Sequence, residues 1–395
     1  MARHLSLLGP SDDEFGAASD QPAAALKGAI VHVAATRADA AALLAVVPAV
    51  RSRTTVAQVL VHAGPGSCAE WDLEELTGAV SALLQLPLDA ESGSHAVQTA
   101  SALTGWEAHL AELEPSVVVV PGSTNLALGC ALAATKLGVP VARLDAGVRE
   151  HDWQAPQEVN RVLMDTMADM LFAPSHDAGA NLAAEGARES RVHVVGSTTV
   201  ATAAARARDA LGRAAWRPHG MARGEYVYVT LARPSNVEQD ERLARIVEAV
   251  AALAQRSPVI LSLQAGALDR LRPMGDEHRL RQAGVLALPP LGYPDHLSLL
   301  AGAGAIVTDA GSAQEEASAV GVPCFTLSAT TEHAMTLTDG TNTLLGADPR
   351  DLDAVRPAKA GADAGLFARW HAAAGERVAE ELVANYALVR ATSAS

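Results

Sequence analysis

The sequence predicts an α/β fold with two domains in series, each a Rossmann-like, doubly wound parallel sheet. Three observations carry this. Short β-branched runs alternate with alanine-rich amphipathic stretches along nearly the whole chain. Ala, Val and Leu supply most of a 49% hydrophobic content, as helices packed on parallel strands require. The strand series also restarts after a helical connector, and 395 residues exceed one ordinary domain.

The first series runs AIVHVAA (29–35), VAQVLVHAG (56–64), SVVVVPG (116–122), VPVARLDAG (139–147), MLFAPS (170–175) and VHVVGST (192–198). Stretches such as ADAAALLAVVPAVRS and LALGCALAATKLG separate these runs as helices. The connector ATAAARARDALGRAAWRPHG leads to EYVYVT, SPVILSLQ, VLALPP, AIVTDAG and PCFTLS, and RWHAAAGERVAEELVANYALVRA reads as a terminal helix. The expected division is a leader at 1–27, domains at 28–205 and 206–372, and the helix at 373–395.

Glycine placement narrows the ligand. The turn TRADA after the first strand lacks the glycines that bring a backbone against a dinucleotide pyrophosphate, which argues against a dehydrogenase. TDAGSAQEEA suits phosphate better: a strand ends, Gly311 permits a tight turn, and a helix opens with Gly311 and Ser312 N–H groups free for an anion. Glu316, one turn further on, is placed for a ribose, while Glu315 serves equally to favour the helix start. TLARPSNV ends a buried strand with Ala232, a methyl group, beside Arg233.

Composition excludes several classes. A net charge of −15 opposes nucleic-acid backbone or anionic membrane as partner. No apolar run reaches the roughly 20 residues of a membrane span. The N-terminal stretch lacks a signal-peptide pattern, so a cytoplasmic location is expected. Cys68, Cys130 and Cys324 lie far apart, as reduced buried thiols without metal spacing do.

From about residue 29 to 390 the chain resembles the non-hydrolysing UDP-N-acetylglucosamine 2-epimerases, above all in PSVVVVPGSTN, RLDAGVR, PQEVNR, TLARPSNV, LGYPDHL, TDAGSAQEE and TTEH. The resemblance implies a GT-B fold with two domains facing a cleft, a homodimer formed through the first domain, and no metal or cofactor. It implies elimination of UDP to a glycal, then re-addition with inversion at C2. It places Arg37, Arg233, Tyr293, Gly311, Ser312 and Glu316 on the nucleotide. Arg37, Ser123, Arg149, Gln157, Glu158 and His333 fall on the substrate, and Arg233, Asp145 and Glu332 fall at the chemistry.

The family pattern is broken at acid/base places. HGDTN appears as PGSTN, with Pro121 and Ser123 for its histidine and aspartate. HVEAGLR shortens its glutamate to Asp145, and PEEANR replaces its first acid with Gln157. TLHRPENV gives Ala232 and Ser235, Gln264 replaces a histidine, His333 an arginine, and Ala310 a serine. On this reading C2 proton chemistry is lost while the nucleotide grip persists. Glycosyl transfer from an NDP-sugar to a small acceptor, a thiol above all, ranks first, in bacterial specialised (antibiotic-like) metabolism. An epimerase with altered residues, using Asp145, Glu158, Asp152 or His151, and a non-catalytic nucleotide-sugar binder are the alternatives. Trp153 is expected in the core, and neither His62 nor His333 has a carboxylate partner visible in sequence.

Overall fold

The computed structural model describes residues 26–64, 71, 74–86, 93–263, 270–271, 275–358 and 364–393. Most of the expected leader, Cys68 and Gln264 lie outside the described residues. The chain forms two compact units, 1–202 with 371–395, and 203–370. The sequence set the boundary a few residues later and held 373–395 apart. The division instead falls inside the helix Thr198–Arg213, and the helix Ala374–Ser393 packs on Arg37–Arg51 of the first unit. Gly375 makes that approach possible: a Cβ there would lie 1.9 Å from the Ala45 carbonyl oxygen. Arg377 Nη1 donates to the Val195 carbonyl at 2.6 Å, and the Ser197 N–H donates to His371 Nδ1 at 2.9 Å.

The first unit holds seven parallel strands: β1 Ile30–Ala34, β2 Gln58–Ala63, β3 Ala82–Leu86, β4 Val117–Val120, β5 Val141–Leu144, β6 Met170–Ala173 and β7 Val192–Val194. Their order is β3-β2-β1-β4-β5-β6-β7. The second unit holds β8 Val227–Leu231, β9 Val259–Leu263, β10 Leu286–Leu288, β11 Ala305–Thr308, β12 Cys324–Thr326 and β13 Asn342–Leu344, in the order β10-β9-β8-β11-β12-β13. β3 and β13 were not anticipated. Ala-Leu-Leu-Gln-Leu reads equally well as helix, and β13 has only three residues.

Strand order reverses between β1 and β4 in one unit and between β8 and β11 in the other. Ligands of open α/β sheets bind beyond the carboxyl ends of the strands at such points. Elsewhere the units are filled. Helix Asn125–Lys136 buries Leu126, Cys130 and Ala134 inside the first unit. A Cβ on Gly129 would come within 2.5 Å of Ala102 Cβ on helix His95–Leu113. Trp153 is 66% exposed, contrary to the expected core position, because its loop leaves the sheet before the next helix begins. Cys130 and Cys324 are free and buried, and burial pushes the Cys324 thiol up to about 12. No helix among the described residues is long and apolar enough to cross a membrane.

Candidate functional site

In the second unit, β8 and β11 pair in register up to Thr230 and Thr308, so their following loops emerge side by side. Asp309, the first residue past β11, is fully buried and organises both loops. Its Oδ1 accepts the Ala232 N–H at 2.7 Å, and its Oδ2 accepts Asn236 Nδ2 at 2.8 Å and the Arg233 N–H at 3.2 Å. Burial pushes this carboxyl up, and those donors oppose the shift. Position 232 therefore contributes its backbone N–H, which no side chain is needed to supply. Sequence reasoning passed over Asp309; the available signal was an acid directly after a four-residue buried strand.

Arg233 is held over this turn. Its Nε donates to the Asp309 carbonyl at 2.8 Å and its Nη2 donates to Glu332 Oε2 at 2.8 Å. Helix Gly311–Val320 begins beside it with Ala310 as cap, which offers no side-chain acceptor to the first-turn N–H groups. A Cβ on Gly311 would fall 2.6 Å from both Glu332 Oε1 and His333 Nε2, so these two side-chain ends crowd the helix start and would have to shift for any larger residue. Ser312 is half-buried in the same turn. His333 lies between two carboxylates, with Nδ1 3.5 Å from Glu315 and Nε2 4.0 Å from Glu332. That corrects the expectation of no partner: the loop after β12 brings together residues far apart in sequence. Thr331 Oγ1 ties this loop to the helix by donating to Gln314 Oε1 at 2.6 Å.

Glu316 is buried, with Oε2 2.9 Å from His296 Nε2. Tyr293 opens helix Tyr293–Gly302, and its buried ring sits 6.5 Å from the His296 ring. Arginine, glycine floor and open helix start together make a cradle suited to phosphate oxygens.

The first unit presents a second set at its own switch point. Arg37 is the first residue of helix Arg37–Arg51 and is half-buried. Thr36 and Asp39 form a capping box, and Asp39 Oδ2 accepts the N–H groups of Ala35 and Thr36 at 3.1 and 2.9 Å. Burial pushes the Asp39 carboxyl up to about 6. Gly122, at φ +68°, closes over it, and a Cβ there would lie 2.2 Å from Asp39 Oδ1. Ser123 follows, half-buried, its carbonyl accepting Asn160 Nδ2 at 2.9 Å. Gln157 is half-buried in the first turn of helix Pro156–Met167.

Asp145 follows β5 in a left-handed backbone conformation, φ +55°, which side-chain-bearing residues seldom adopt. Asp165 Oδ2 takes the N–H of nearby Gly147 at 2.8 Å.

Two expected substrate contacts point inward instead. Arg149, its side chain 1% exposed, forms a forked pair with Glu185 at 2.8 and 2.7 Å and reaches Asp165 at 2.8 Å. Glu158 accepts the N–H groups of Glu150 and His151 at 3.1 and 2.8 Å and Arg161 Nε at 2.8 Å. Both shape the loop between β5 and the next helix. His62, edge-on to Trp71 at 4.5 Å, is pushed down to about 4 by burial and stays neutral at pH 7. Among the described residues no cluster of His, Cys, Asp and Glu has the makings of a metal site.

Comparison with known proteins bears on this pair of sites. Residues 49–366 match the family model for UDP-N-acetylglucosamine 2-epimerase. The enzyme of that name from Methanococcus maripaludis is 32% identical over 317 residues, 77% of this chain and 85% of that protein. The UDP-2,3-diacetamido-2,3-dideoxy-D-glucuronate 2-epimerase of Pseudomonas aeruginosa is 32% identical over 304 residues, 76% and 83% of the two chains. The crystal structure of the Methanocaldococcus jannaschii UDP-GlcNAc 2-epimerase in complex with UDP-GlcNAc and UDP matches with a TM-score of 0.79 at 29% identity. That match covers 90% of this chain and 99% of the other. Phytolacca americana UGT2, complexed with UDP-2-fluoro-glucose and pterostilbene, matches at a TM-score of 0.54 and 14% identity, a likeness of fold alone. The sequence ranked glycosyl transfer above epimerisation, and these relatives favour the epimerase. The GT-B-like pair of parallel sheets, the matched length and the named relatives agree: the chain belongs to the UDP-N-acetylglucosamine 2-epimerase family.

Proposed function

We propose that the protein binds a UDP-sugar through its second unit and epimerises the sugar at C2. The observation that carries this is the convergence of Arg233 and the uncapped start of helix Gly311–Val320 where β8 and β11 diverge, in a chain matched to the family over residues 49–366. Arg233 and the helix N–H groups neutralise the diphosphate as it departs, where charge develops in the transition state. Glu316 accepts ribose hydroxyls. Arg37, Ser123 and Gln157 of the first unit are the sugar-binding candidates, and Asp145, held in a strained conformation, is assigned proton transfer at C2. The scheme uses no metal and no cofactor beyond the substrate. A homodimer rests on the resemblance alone and is read directly by sedimentation.

Incubation with UDP-GlcNAc in deuterated water tests the reading. Deuterium entering C2 together with a manno epimer is the expected result. Glycosyl transfer stays as a second reading because Ala232 and Ser123 stand where the family pattern has histidine and aspartate. UDP release that requires an added thiol acceptor, with no exchange at C2, would put transfer in place of epimerisation. UDP binding with neither reaction would leave a nucleotide-sugar binder.

A further inference from the structure

A carboxylate that reads ribose hydroxyls must keep one orientation in a site that water hardly reaches. The Glu316 side chain is 3% exposed, so its partners inside the protein decide that orientation. Its Oε2 meets Nε2 of His296 at 2.9 Å, and His296 comes from the preceding helix, Tyr293–Gly302. The opposite nitrogen, Nδ1, lies 3.0 Å from the hydroxyl of Tyr228, fully buried as the second residue of β8. With Glu316 ionised the carboxylate can only accept, so Nε2 carries the proton and Nδ1 accepts from the tyrosine. The imidazole is thereby gripped at both nitrogens, and turning the ring breaks both contacts. The His296 contact uses Oε2 and leaves Oε1 outside it. The strand that seats Tyr228 is also the one that runs on to Arg233, so one element bears on both ends of the nucleotide cradle.

We propose that His296, seated on Tyr228, is a positioning residue that fixes the Glu316 carboxylate for the ribose hydroxyls of a bound nucleoside diphosphate. This rests on the assignment of Glu316 to ribose made above. A contact that only stabilised the fold would support every nucleotide alike. A positioning contact acts only on ligands that carry the hydroxyls.

The test is calorimetric binding of UDP and of 2′,3′-dideoxy-UDP to the full chain and four variants: His296→Phe, His296→Gln, Tyr228→Phe and Glu316→Gln. His296→Phe keeps a flat ring and removes both hydrogen bonds; it should weaken UDP about tenfold and the dideoxy compound less than about twofold. His296→Gln, whose amide both donates and accepts, should recover most of the UDP affinity. Tyr228→Phe, which removes a single oxygen, should show the same preference for harming UDP, and carries the comparison should His296→Phe fail to fold. Equal weakening of both nucleotides, or unchanged UDP binding with His296 or Tyr228 altered, overturns the proposal. Failure of the ribose assignment itself is separable: the unaltered protein would then bind both nucleotides equally, and Glu316→Gln would change neither.

Discussion

Arg233 and Glu332 meet at 2.8 Å beside Gly311, where the helix Gly311–Val320 begins. The protein's own carboxylate thus stands close to where an incoming phosphate would find its arginine. Glu332 was read from sequence as a catalytic group, and the structure gives it first to this ion pair.

Glu332→Gln removes that competitor for Arg233. UDP should bind about fivefold more tightly, the equivalent of ~1 kcal/mol for a partly exposed pair. Isothermal calorimetry measures it, and weaker binding would mean that Glu332 itself touches the nucleotide.

Gly311→Ala should damage binding more than folding. The added methyl group must displace Glu332 and the His333 ring, each 2.6 Å from its position. Overpacking of this kind costs about 1–3 kcal/mol of stability, while the shifted loop closes the cradle. UDP affinity falling below calorimetric detection, with an unfolding transition that remains cooperative, is the expected pair of results.

Asp39→Asn should flatten a pH dependence of stability. The folded-state pKa of Asp39 is raised by burial from 3.8 to about 6. Its contribution is therefore fully present below the unfolded value and is lost as pH rises through about 6, at about 1.4 kcal/mol per pH unit within that window. Urea unfolding at pH 4.5 and 7.5 should show the variant gaining on the unaltered protein at the higher pH. A constant difference between the two pH values would refute the shift.

Arg149→Met separates architecture from binding. Taking away the guanidinium leaves buried Asp165 facing Arg143 alone, whose Nε is 3.5 Å away. Breaking a buried pair of this kind costs about 3–5 kcal/mol. A large drop in melting temperature with UDP affinity intact is expected; a binding defect in a stable variant would return Arg149 to the substrate.

The architecture was legible because buried β-branched strands and alanine-rich helices announce themselves by pattern, as AIVHVAA and SVVVVPG do. The strand-end and helix-start positions of Arg233, Gly311 and Arg37 were legible too, since strand ends and glycine turns are local features. What escaped was long-range pairing. Asp309 holding Ala232, His333 between Glu315 and Glu332, and Asp165 at Gly147 are all partners distant in sequence. The partners of Arg149 and Glu158 escaped for a related reason: a charged residue near a strand end looks the same in sequence whatever buried counter-charge or backbone group it meets.

The return of helix Ala374–Ser393 to the first unit sets an order on biosynthesis. A chain emerging from the ribosome exposes all of residues 203–370 before the helix that covers Arg37–Arg51 becomes available. Domains made early ordinarily fold early. Here the unit whose strands are translated first is completed only after residues 203–370 have been made, and its Ala45 face waits until then for Gly375.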